Sequence, residues 1–165
     1  MGPATEGDLP AIATIATEAW RNAYRGLISA EAIDDSLRHW YSIESLQRRL
    51  RSGGLEVAER EDRTVGFVQH ARTSDLVHEV FAVYVLPTLI GKGVGWSMWQ
   101  RVLQEAVVAH SAWVELWVLQ GNSLGTDWYD RQGGEVVAER QVQMLDGPHT
   151  ELRYRFTLGG AARLF

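Results

Sequence analysis

The spacing of apolar residues changes character once along this chain, and that change limits the fold more than any other feature. Over Asp8 to Tyr24, Leu9, Ile12, Ile15, Ala16, Ala19 and Trp20 recur three or four residues apart, which predicts a helix. Asp8 stands where a cap belongs, Pro10 falls in the first turn, and Gly26 ends the pattern. Ser29 opens a second helical region that breaks near Tyr41 and resumes over Ser42 to Arg51, until Gly53-Gly54 stops it. From Leu55 onward the period drops to two. Leu55 to Arg60 and Thr64 to Arg72 read as strands around the polar turn Glu61-Asp62-Arg63. Glu79 to Val85 (EVFAVYV) is a third strand, ended by Pro87.

The remainder alternates. Val94 to Ala109 is helical, with Met98, Val102, Leu103 and Ala106 on one face. Trp113 to Val118 is a strand, and Ser123 to Gln132 is a short helix stopped by Gly133-Gly134. Glu135 to Met144 and Glu151 to Leu158 pair as a closing hairpin around Asp146-Gly147. The order is helix, helix, three strands, helix, strand, helix, two strands. It predicts a mixed α/β fold: a mostly antiparallel central sheet with flanking helices, and parallel neighbours around the third helix.

A chain of 165 residues is expected to form a single domain, 1–165, with a core that needs no staples. There is no cysteine, so disulfides and thiolate metal sites are unavailable, and no metal is expected. Residues Met1 to Asp8 are small or acidic, unlike a basic-then-apolar leader, so a cytoplasmic location is expected. The longest apolar run, near Val80 to Leu86, is too short to span a bilayer. The net charge of −5 argues against nucleic acid or anionic membranes as partners.

One segment carries a chemical signal: a strand (EVFAVYV), a loop (LPTLIGKGVG) and a helix (WSMWQRVLQEAV). Glycines at 91, 93 and 95 let the backbone turn sharply and approach a ligand, and free N–H groups at the helix start favour a phosphate. Two nucleotide loops fail. A P-loop needs Ser or Thr after Gly-Lys, and Gly93 follows Lys92. A dinucleotide fingerprint needs a third glycine where Trp96 or Met98 stands.

These residues resemble the GNAT superfamily of N-acetyltransferases. The family's pyrophosphate loop reads Arg/Gln-x-x-Gly-x-Gly/Ala; here Gly93 and Gly95 match and Ile90 replaces the leading residue. Pro3-Ala4-Thr5, Asp8-Leu9 and Trp20 to Leu27 (WRNAYRGL) resemble its opening segment. Asn122 to Gly134 (NSLGTDWYDRQGG) resembles its last motif, with Trp128 for Phe, Gly125 for Ala and Gly134 for Phe. Gly125 is expected to weaken that helix by about 1 kcal/mol. The family's first strand has little room before Pro3, so it is expected to be very short or missing.

The resemblance implies a GNAT-like acyl-CoA N-acyltransferase fold and acetyl transfer from acetyl-CoA, as acyl-donor cosubstrate, to an amine. By the same resemblance, backbone groups of Val83, Tyr84 and Val85 extend the sheet with the pantetheine arm. Gly91, Lys92, Gly93, Val94, Gly95 and Trp96 hold the pyrophosphate, and Asn122 contacts the pantetheine or caps its helix. Glu79 is the candidate general base, ahead of His70, His78 and Glu115. Tyr129 is the candidate proton donor to the departing thiolate, with packing beside Trp128 as its other reading. Trp20, Tyr24, Trp40 and Tyr41 are candidate walls of an acceptor pocket, though aromatic residues at helical spacing also suit plain core. A homodimer would be unsurprising. The competing reading is a non-catalytic acyl-CoA-binding or regulatory module on the same fold, since a fold does not by itself establish activity.

Overall fold

A computed structural model of the chain describes residues 1–159. Among these residues, seven strands form one sheet: β1 (Gly2–Pro3), β2 (Leu55–Arg60), β3 (Arg63–Arg72), β4 (Val77–Val85), β5 (Trp113–Leu119), β6 (Glu135–Met144) and β7 (Gly147–Thr157). Their spatial order is β1-β2-β3-β4-β5-β7-β6, and every pair is antiparallel except β4–β5. The helices are α1 (Leu9–Tyr24), α2 (Ala30–Tyr41), α3 (Ile43–Ser52), α4 (Val94–Val108) and α5 (Ser123–Arg131). The expected first strand is present but only two residues long.

The sheet separates two cores. On one face, Ile12, Ile15 and Trp20 of α1 pack with Ile33, Leu37 and Leu46 of α2 and α3 over Phe67. On the other, Met98, Trp99 and Val102 of α4 pack with Val68, Val114 and Phe156, and α5 adds Tyr129. The helical period of the first third is thus satisfied by a continuous apolar stripe facing the sheet.

Local signals set most boundaries. Ser29 Oγ accepts the Ala32 N–H (3.1 Å) and Ser42 Oγ accepts the Ser45 N–H (3.2 Å), so α2 and α3 are separately capped. Each such cap is worth about 1 kcal/mol. Asp8 behaves differently from expectation. Its carboxylate accepts from Thr5 N–H, Thr5 Oγ1 and Thr64 Oγ1, tying the chain start to β3 instead of capping α1. The β2–β3 turn is two residues, Glu61 and Asp62, both left-handed (φ 51° and 60°), so Arg63 already belongs to β3.

Pairing lengthens two strands beyond their sequence signal. β4 starts at Val77 because Val77 and His78 pair with Trp113 and Val114. β7 starts at Gly147 because Pro148, His149 and Thr150 face Gln143, Val142 and Gln141 across the hairpin. At the tip, Asp146 accepts the Ser29 N–H (2.8 Å), pinning the hairpin to the start of α2.

Candidate active site

The site begins where two parallel strands part. β4 pairs with β5 only over Val77 to Val80 against Trp113 to Leu116. Beyond that, β4 runs to Val85 and β5 to Leu119 without pairing to each other. The β5-facing edge of β4 therefore presents unpaired main-chain groups, which require partners. A groove of about 470 Å³ fills the gap, and Val83, Tyr84 and Val85 form one wall.

The groove ends at the glycine loop. Gly91 and Gly93 have φ of 78° and 88°, a left-handed backbone that side chains resist. The turn they make delivers the chain into α4. The first helical bond runs from the Ser97 N–H to Gly93 O (3.0 Å), so the amides of Val94, Gly95 and Trp96 have no partner within the helix. Those amides and the helix dipole favour an anion. Gly91, Gly93, Gly95 and Trp96 line the groove. Two residues of the expected set do not. Val94 turns into the second core, and Lys92 is exposed with its N–H given to Leu89 O (3.2 Å).

Opposite the loop, α5 brings Asn122 and Tyr129 to the groove. Asn122 Oδ1 accepts the Gly125 N–H (3.2 Å) and so caps α5. A Cβ on Gly125 would lie 3.0 Å from Asn122 Nδ2 and 3.3 Å from Val118. The glycine expected only to weaken the helix therefore also admits its cap. Tyr129 is nearly buried, edge-on to Trp128 with ring centroids 5.6 Å apart. Its hydroxyl makes no hydrogen bond among the described residues, and burial raises its pKa, so the phenol stays protonated.

A second, larger cavity of about 1030 Å³ lies across the sheet from α4, framed by α1 to α3 and the β6–β7 hairpin. Trp20, Tyr24, Trp40 and Tyr41 line it, as does Glu79. The two spaces share Tyr24, Val80, Phe81, Tyr84 and Trp117 as walls, so they meet there. The Tyr24 and Tyr84 hydroxyls lie 3.4 Å apart. Burial pushes Tyr24 up to about 12 and Tyr84 well above its ordinary value, which leaves both neutral.

Glu79 reaches this cavity through a bulge. Gln69 pairs with Ala82 and His70 with Val80, so Phe81 is the extra residue on β4. Strict alternation would put Glu79 with Phe81 and Val83, on the face away from Ala82. The bulge reverses the alternation, and Glu79 shares the α1–α3 face with Ala82 and Tyr84 instead. Neither Phe81 nor Trp117, which both stand at the junction, carries any sequence signal that distinguishes it from core.

The other candidate bases lie elsewhere. His70 and His78 are buried against α4 and line neither cavity; His70 Nδ1 is 2.7 Å from His78 Nε2. Burial lowers the pKa of both. Glu115 is buried between Arg153 and Arg155, a satisfied ion cluster. No group of His, Asp and Glu among the described residues is arranged to hold a metal ion. No described helix is long and apolar enough to cross a membrane.

The family model described as acetyltransferase (GNAT) family matches residues 11–134. The fold is similar to that of the PaiA N-acetyltransferase from Thermoplasma acidophilum, solved in complex with coenzyme A. That likeness has 21% identity, a TM-score of 0.79, and covers 93% of this chain and 96% of the other. It is also similar to a GCN5-related N-acetyltransferase structure from Rhodopseudomonas palustris (15% identity, TM-score 0.81, covering 94% and 93%). A third likeness is to the ribosomal-protein-alanine N-acetyltransferase from Brucella melitensis (24% identity, TM-score 0.66, covering 94% and 97%). No curated protein sequence matches the chain significantly.

Proposed function

The chain belongs to the acetyltransferase (GNAT) family, and we propose that it moves the acetyl group of acetyl-CoA to a primary amine by direct attack on the thioester. The observation that carries this reading is the meeting of two spaces at the β4–β5 gap. The groove that ends at an anion-binding helix start suits a long phosphate-bearing donor. The larger cavity suits an acceptor that arrives from the other side.

Acetyl-CoA supplies the activated acetyl group. The unpaired edge of β4 and the amides at the start of α4 hold its arm and pyrophosphate. An amine at neutral pH is mostly an ammonium, with a pKa of about 10. Glu79, facing the acceptor cavity, takes one proton from it, directly or through a water. The nitrogen then attacks the carbonyl carbon, and the C–N bond forms as the C–S bond breaks. Tyr129, neutral and without a partner among the described residues, gives its proton to the sulfur. The proton shed by the new amide restores the phenol. Charge develops on sulfur as the thioester breaks, so a donor there acts chiefly in the transition state.

Release of free CoA from acetyl-CoA, with varied amines and mass detection of the acetylated product, tests the reading. Glu79→Gln should lower turnover by about 10²–10⁴ with little change in acetyl-CoA affinity. The deficit should shrink at high pH, where the amine deprotonates unaided. Wild-type turnover in that variant at neutral pH removes Glu79 from the mechanism. Acetyl-CoA binding without any amine-dependent release would instead favour a binding module.

A further inference from the structure

Among the described residues, the acceptor cavity holds one cation without a carboxylate partner. Three arginines line it. Arg48 pairs with Glu44 (3.1 Å) and Arg140 with Glu151 (2.8 Å). Arg49 has no carboxylate partner among the described residues. Its guanidinium lies over the Tyr41 ring, 4.8 Å from the centroid. Nε donates to Gln69 Oε1 (2.6 Å) and Nη1 to the Trp40 carbonyl (3.3 Å), while Nη2 makes no hydrogen bond among the described residues.

Gln69 is itself buried, and both ends of its amide are used on Arg49: Oε1 accepts from Nε, and Nε2 donates to the Arg49 carbonyl (3.4 Å). A buried amide is costly unless paired, and here it is paired only to hold an arginine still. A guanidinium immobilised on neutral partners, with its remaining N–H groups free, is built to accept a planar anion. Glu79 is the complementary case, a carboxylate in the same cavity with no ion pair among the described residues. The register places Glu79 two residues along and one strand across from Gln69, about 8 Å between main-chain positions. Arg49 and Glu79 line this one cavity together, so a single small molecule can meet both.

We infer that Arg49 binds a carboxylate of the acceptor, so that the acceptor is an amine that also carries a carboxylate, its nitrogen toward Glu79 and its anion toward Arg49. This rests on the proposed acetyl transfer and excludes polyamines and other purely cationic amines as preferred acceptors. The carboxylate belongs either to a free amino acid or to the far end of a short peptide.

The test measures kcat/KM for the proteinogenic L-amino acids as free acids, as carboxamides, and at the start of Xaa-Ala dipeptides. The wild-type protein should prefer acids over carboxamides for at least one side chain. Arg49→Gln should reduce the acid-to-carboxamide ratio by about tenfold to a hundredfold, the worth of a charged hydrogen-bonded contact, and mainly through KM. Arg49→Lys should restore part of it. Preference for free acids over dipeptides assigns the anion to an amino acid, and the reverse assigns it to a peptide. A ratio unchanged in Arg49→Gln overturns the inference. Calorimetric binding of the same acids and carboxamides, with CoA present, separates the two claims. If no amine releases CoA, the transfer reading falls, yet acid binding lost in Arg49→Gln still supports the anion site. If no acid binds more tightly than its carboxamide and none is preferred in turnover, the anion site falls.

Discussion

At the scale of single residues, Tyr129 offers the sharpest test. Its ring packs among Trp128, Tyr154 and Phe156, while its hydroxyl has no partner within the described protein. Tyr129→Phe removes the hydroxyl and keeps the ring. Turnover should fall by about tenfold or more, with acetyl-CoA affinity and melting temperature almost unchanged, as read by steady-state kinetics, calorimetry and thermal melts. Turnover within about twofold of wild type would make Tyr129 structural, because catalytic proton donors contribute far more than that. The motif position of Tyr129 was legible in the sequence, as was the capping alternative for Asn122, which the structure makes a cap. The free hydroxyl was not legible, because absence of a partner depends on what the fold brings near.

At the scale of elements, β3, β4 and α4 bury a polar cluster. His70 and His78 face each other, and Glu56, Arg101 and Glu105 are the charged groups packed around them. Burial is the largest cause of the lowered pKa of both histidines, and for His78 the neighbouring His70 lowers it further. Their folded-state pKa values lie below the unfolded value, so they bind protons more readily when unfolded. Their contribution to stability is full above the unfolded pKa of about 6.5 and is lost as the pH falls through the folded values. The melting temperature should drop between about pH 7 and pH 5, and His78→Gln should flatten that drop. An equal slope in the variant would assign the acid sensitivity to other groups. In the sequence these histidines qualify as candidate bases, because residue type alone carries no information about which face of the sheet they occupy.

At the scale of the whole molecule, the described sheet is continuous except where β4 and β5 part, and the two faces meet at that gap. A ligand there joins elements from both halves: α1 and β4 on one side, β5 and α5 on the other. Acetyl-CoA at about a hundredfold its dissociation constant should stabilise the native state by about 2.7 kcal/mol. That corresponds to a rise in melting temperature of about 5–10 °C for a chain of this size. NAD and ATP should raise it much less. Gly95→Glu should abolish the shift, because it puts bulk and negative charge where phosphate approaches. The protein itself has room at this position, since a Cβ there would be 3.8 Å from Val85. A shift that persists in Gly95→Glu would detach the cofactor from the glycine loop.

Hydrophobic period, caps and glycine placement determined the element order, the mixed α/β class and the strand–loop–helix unit, and the loop's two left-handed glycines follow from the same local signals. Those properties are local, and a segment's own residues encode them. Tertiary structure alone decided the extra residue at Phe81, the end of β4–β5 pairing after Val80, and the clamp of Gln69 on Arg49. Each depends on a partner distant in the chain. Glu79 faces the larger cavity only because pairing with β3 forces one residue out of register, and a side-chain period of two then turns every earlier side chain of β4 to the other face.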